Sequence, residues 1–182
     1  MAKELLDVLD ENGIKTGKIE ERDDVHKKGL WHRAIVVAIL NEKNEILIQQ
    51  RSDNKEKNAG MWDISAAGHI SSGQDSLNAA TREISEEVSV SLGYNVEVRD
   101  FRFMLSFRKE QVFSEDFIER QFYDFFILRQ NGINEDNIRF QSSEVKAIKF
   151  VTMNELDELI EKGEVVDRKE CFDALREYVF RI

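Results

Sequence analysis

The 182-residue chain has no proline, one cysteine and three histidines. Without proline, no boundary is marked by a ring that breaks helices and strands, so turns have to be read from clusters of Gly, Asn and Asp. The lone Cys171 excludes a disulfide framework within the chain and suits a reducing compartment. No apolar run reaches the roughly 18 residues that suggest a membrane span, and the opening MAKELLDVLDENG has no signal pattern, so a cytoplasmic location is expected. Basic residues are also scarce: 26 against 36 acidic ones give a net charge of −10, which argues against a general nucleic-acid or anionic-membrane surface. A phosphate-bearing partner would therefore need local cations or a metal.

With 41% apolar residues, a chain of 182 can bury a real core in one domain, expected over 1–182 with an N-terminal β-hairpin extension over about 1–20. ELLDVLD and IKTGKI flank the turn-forming DENG, and RAIVVAIL and EILIQQR flank NEKN in the same way. MWDISAAGHI reads as one strand running into small residues. From about Asp75 to Val88, Leu77, Ala80, Ile84 and Val88 make the apolar stripe of a helix. FRFMLSFR alternates Phe101, Phe103, Leu105 and Phe107 on one face of a half-buried strand, and RQFYDFFILR and KAIKFV read as further strands. NELDELIEKG, with Gly163 as its C-terminal cap, and RKECFDALREYVF read as closing helices, Cys171 being a small buried hydrophobe rather than a nucleophile. The fold class is α/β (α+β), a mixed sheet sandwiched between helices as α/β/α.

Residues 82–88, REISEEV, place Glu83, Glu86 and Glu87 within an arc of about 100° on the helix. One account is a solvated face on which Arg82 pairs with Glu86, since like charges at i,i+4 cost only about 0.2–0.5 kcal/mol in water. The other is a seat for a hard divalent cation, which prefers oxygen ligands and bridges carboxylates to phosphate. In context, AGHISSGQDSLNAATREISEEVSV (67–90) resembles the Nudix box: Gly68, Arg82, Glu83, Ile84, Glu86, Glu87 and Val90 stand at the family spacing. Gln74 occupies the place of the box's first glutamate and Ser89 that of its last glycine. If Ser89 ended the helix with positive φ, it would cost more there than glycine.

The resemblance extends to WHRAIVVAILNEKNEILIQQRS before the box and EVKAIKFVTMNELDELI after it. It implies a Nudix fold and a hydrolase that uses magnesium or manganese to cleave a diphosphate linkage in a nucleoside diphosphate derivative or another organic diphosphate. Glu86 and Glu87 would be metal ligands, Glu83 a ligand or the base that activates water, and the Ala67 carbonyl a further ligand. Arg82 would orient the glutamates, its usual acidic partner being replaced by Gln74. Arg51 and Lys55, with Gly68, are the candidate substrate contacts, and Lys57 is a weaker one. The partner is a small-molecule diphosphate whose attached group stays open, as does the oligomeric state, homodimers being common among related enzymes.

GMWDISAAGHI, with LDVLDENG and HKKGLWHRA upstream, looks most like the Nudix branch related to isopentenyl-diphosphate isomerase. Isomerisation needs an acid and a base on opposite sides of a carbon skeleton. The cysteine and glutamate that serve there align with Ala67 and Gln121, Glu119 lying two residues earlier, so hydrolysis is expected over isomerisation. A diphosphate-sensing module with little turnover is the third alternative, motivated by Gln74 and Ser89. His26, His32 and His69 are similar in position to the isomerase's histidine ligands and with Glu119 could form a transition-metal site. The expectation here is instead structural: His32 packed at a strand start, His69 hydrogen-bonded in a loop and His26 solvated.

Overall fold

The computed structural model describes residues 3–55, 57–90 and 98–180. β1 (Leu5–Leu9) and β2 (Lys15–Glu21) form the expected hairpin, its turn held by Asp10, whose carboxylate accepts the backbone N–H groups of Asn12 and Ile14. Leu9 also pairs with Trp31, so this hairpin continues the main sheet. α1 (Arg22–Lys28), a short helix closed by Gly29 at φ 59, is an addition to the expected elements. β3 (Trp31–Leu40) and β4 (Ile46–Arg51) form the second hairpin, around Asn41, whose side chain accepts from Lys43 and Glu45.

β3 organises the layers. Its Ala34, Val36, Ala38 and Leu40 enter one apolar cluster, and Ile35, Val37 and Ile39 enter another, as the two-residue period of a strand buried on both faces requires. The first cluster is covered by α3 (Met153–Glu161) and α4 (Lys169–Phe180), through Leu156, Phe172 and Leu175 among others. The second is covered by α2 (Ser76–Glu87), through Ala79, Ala80 and Ile84. This is the expected sheet between helices. Thr152 caps α3 reciprocally with Glu155, Gly163 at φ 71 follows its last turn, and Cys171 is fully buried.

Three local expectations change. MWDISAAGHI is two strands, β5 (Trp62–Ile64) on β4 and β6 (Ala66–His69) on β3. They separate at Ser65, whose hydroxyl accepts from Ile39 N–H and donates to the Leu47 carbonyl. After α2 the chain enters β7 (Val88–Val90), where Ser89 pairs with Arg139 of β10 (Ile138–Phe140); Ser89 is thus extended and not a helix cap. β8 (Phe101–Ser114) pairs with β9 (Phe117–Arg129), but the register shifts between Phe103 and Leu105. That irregularity breaks the alternation, leaving Phe103 55% exposed while Met104 packs against the core.

β9 lies parallel to β3, Trp31 facing Arg120 through Leu40 facing Arg129, and β11 (Val145–Val151) closes the other edge on β4. Among the described residues no helix is long and apolar enough to cross a membrane.

Candidate functional site

α2 and β6 meet at the Nudix-like sequence. Burial of Ile84 fixes the helix rotation, and the adjacent Glu83 is carried to the back of β6, where it is only 8% exposed. A Cβ at Gly68 would overlap the Glu83 carboxylate, so the glycine is there for room; its φ is not left-handed. Arg82 reaches Glu83 at 2.8 Å and Glu86 at 3.1 Å, and donates through Nη2 to the His69 carbonyl at 3.0 Å. Burial raises the Glu83 carboxyl above its ordinary range, and Arg82 opposes that only in part. Glu86 is exposed at the rim, and the Glu87 side chain lies outside the described ones.

Ala67, Gly68, Glu83 and Glu86 line one wall of a cleft of about 480 Å³. The same cleft is lined by Arg51, Lys55, Lys57, Lys109 and Arg168, and each of these cations meets a carboxylate. Asp63, 1% exposed on β5, is the hub: Arg168 donates to it at 3.0 and 3.2 Å, and Arg51 approaches at 3.4 Å. Burial pushes the Asp63 carboxyl up, but Arg168 and Arg51 outweigh that and hold it below its usual range. Arg51 also donates Nε to the Lys57 carbonyl, Lys55 pairs with Glu144, and Lys57 pairs with Glu119 at 3.0 Å over the Phe113 and Phe117 rings. The expected substrate contacts thus lie in the cleft, held by partners. Sequence reasoning missed Asp63, Arg168, Lys109 and Glu144. A charge inside the apolar MWDIS was the one local signal.

The three histidines converge from α1, β3 and β6, their ligand atoms within 4.8 Å of one another. His32 sits at the start of β3, buried as expected. His69 ends β6, and its hydrogen bond is to β9. His26 is not solvated: it is 2% exposed and stacked on Phe117, because α1 folds it inward, and neither ring nitrogen has a partner among the described residues. Burial, with His32 beside it, pushes the His26 imidazole down to about 3, and burial lowers His32 and His69 as well.

Hydrogen bonding fixes the tautomers. The Leu30 carbonyl, 3.0 Å from His32 Nδ1, can only accept, so that nitrogen carries the proton and Nε2 presents a lone pair. Gln121 Nε2 stands 3.0 Å from His32 Nε2 and 3.0 Å from His69 Nε2, while its Oε1 receives the Tyr123 hydroxyl. One amide nitrogen therefore donates to two imidazoles. A metal among these histidines would have to displace that amide.

Gln74 does not replace the missing acid as a partner of Arg82. Its Oε1 is buried without a partner among the described residues, and it lines a second cavity with Arg33 and Ser76, both of which donate to Asp124. Arg82 is satisfied instead by Glu83, Glu86 and the His69 carbonyl.

Comparison with known proteins gives a consistent family. Nudix hydrolase 3 of Arabidopsis thaliana is 38% identical over 165 residues, which are 89% of this chain but 21% of that protein, so the chain spans about a fifth of its length. An isopentenyl-diphosphate Delta-isomerase of Pectobacterium atrosepticum is 28% identical over 82% of this chain and 76% of its own. The crystal structure of DR0079 from Deinococcus radiodurans has a TM-score of 0.70 at 23% identity, covering 95% of this chain and 98% of that one, which shows a shared fold. The model of the NUDIX domain matches residues 30–173, from just before β3 into α4, and by that match the chain belongs to the NUDIX domain family.

Proposed function

We propose that this protein hydrolyses the diphosphate bridge of a small organic diphosphate with magnesium or manganese. The observation that carries the reading is the cleft itself, whose lining brings Glu83 and Glu86 together with Arg51, Lys55 and Arg168. Nudix proteins generally use divalent metals. The donor set fits one, because the Glu83 and Glu86 carboxylates and the Ala67 carbonyl are hard oxygen ligands on one wall. Glu87 joins them by its place in the box. When bound, the ion screens phosphoryl charge and acidifies water.

The chain's own residues supply the rest. Arg51 uses Nε and Nη1 for its present contacts, and Nη2 is the group to donate to a phosphoryl oxygen. Lys55 adds a point charge once Glu144 yields it. Glu83, with its raised affinity for protons, takes the proton of a water whose oxygen attacks phosphorus, and the bridging P–O bond breaks with its electron pair leaving on the departing phosphate. Arg82 keeps that carboxylate in place.

The isomerase-named relatives support a second reading, proton transfer on an allylic diphosphate. Against it, Ala67 has no proton to give and the Gln121 amide is committed to two imidazoles. The test is a panel of nucleotide, sugar-nucleotide and isoprenoid diphosphates with each metal, following phosphate and diphosphate release beside a Glu86→Gln control. Metal-dependent release that the control loses is expected. Rearranged product from isopentenyl diphosphate would favour the isomerase, and binding without product the sensing module.

A further inference from the structure

Gln121 stands on β9 directly across the parallel ladder from His32, and Ala34, two residues on in β3, is paired with His69 of β6. Three strands thus bring one carboxamide between two imidazoles, and each of its polar atoms has a partner there. The end of β6 carries more than the clasped side chain. The His69 carbonyl receives Arg82, the preceding Gly68 is the surface against which Glu83 rests, and Ala67 lines the cleft beside them.

We infer that Gln121 is a positioning residue for the hydrolytic site: by donating to both His32 and His69 it clamps the end of β6, and through the His69 carbonyl and Arg82 it holds Glu83 where a cation and water meet it. The inference rests on the hydrolase reading above. A carboxamide does here what a bound ion does elsewhere in proteins, gathering imidazoles from separate strands, but it does so by giving hydrogens. The role therefore depends on donors and not on volume. Methionine, of similar length, and leucine fill the space without donating.

The first measurement needs no variant. In the metal-free protein, long-range proton–nitrogen NMR of the imidazoles should find His32 and His69 both as Nδ1–H tautomers with Nε2 accepting. An Nε2–H tautomer at His69 would overturn the clasp outright. The second compares wild type with Gln121→Met and Gln121→Leu, reading Mn2+ affinity by electron paramagnetic resonance and turnover of whichever panel diphosphate the wild type cleaves. Loss of a hydrogen bond behind a metal-site residue typically costs roughly 10–100-fold, and that loss is expected in Mn2+ affinity or kcat, with KM for the diphosphate unchanged because the cationic wall is untouched. Folded variants as active as wild type, binding Mn2+ equally well, would leave the hydrolase reading standing and remove this inference alone. A wild type that neither takes up Mn2+ nor cleaves any diphosphate would remove both.

Discussion

A Gly68→Ala substitution adds one methyl group at the point where β6 faces Glu83. The backbone there is not left-handed, so alanine meets no conformational penalty, and the atoms nearest the added Cβ are those of the Glu83 carboxylate. Neither partner can retreat easily. β6 is held in register on β3, Gly68 facing Ile35, and α2 is pinned by the buried Ile84. The carboxylate must rotate away, which strains its 2.8 Å contact with Arg82. Overpacking of this kind costs about 1–3 kcal/mol. For a chain of this size that is a fall of roughly 2–12 °C in Tm. Misplacing a catalytic group by about 1 Å can cost on the order of 100-fold in rate, so turnover should suffer more than folding. Thermal melts and kcat of Gly68→Ala, Glu83→Ala and the double variant make the test. Removing the Glu83 side chain clears the space, so the pair should couple by at least about 0.5 kcal/mol in stability. Additive effects would mean that the methyl group never touches Glu83, and the steric argument would be refuted.

Asp63→Ala strands Arg168 in the interior without its anion and should destabilise the fold by about 3–5 kcal/mol. Asp63→Ala/Arg168→Met should recover part of that in denaturant titrations, and equal losses would refute the ion-pair account. Because burial raises the native Glu83 carboxyl above 4.5, the folded metal-free protein keeps that proton to higher pH than the unfolded chain, so this group's contribution to stability falls as pH rises through that window. Metal uptake must expel the same proton, so Mn2+ affinity should weaken on acidification beginning above pH 4.5, and Glu83→Gln should abolish that step. Cys171, its thiol pushed up to about 12 by burial, should resist thiol reagents in the native protein and react only on unfolding.

What the sequence made legible was local. The box could be read because Glu83, Glu86 and Glu87 are related by helical spacing alone, and β3 because seven consecutive apolar residues, Ala34–Leu40, have no other stable place than a strand covered on both faces. Arg51 and Lys55 were readable as cations at a strand end. Their restraints were not, since Arg168 reaches Asp63 across 105 residues and Lys55 reaches Glu144 across 89. The misplaced His26 has the same cause: a polar helix of seven residues carries no amphipathic signal strong enough to show which side turns inward.

Gln121 marks the limit most sharply. In sequence it is the residue where an isomerase keeps a carboxylate, which counts as a loss. In the fold it meets His32 and His69 through N–H groups that a carboxylate lacks, and Tyr123 through the oxygen that remains. A glutamine here therefore meets two of the three histidines with donors, where a carboxylate would meet them with acceptors. Only the parallel pairing of β3 with β9, 89 residues apart at this point, makes that difference visible. With Gln121 donating to His32 and His69, the hydrolysis proposed above rests on Glu83 and Glu86 as the hard-oxygen groups lining the cleft, whereas the alternative of proton transfer would have to find its acid and base elsewhere than at Ala67 and Gln121.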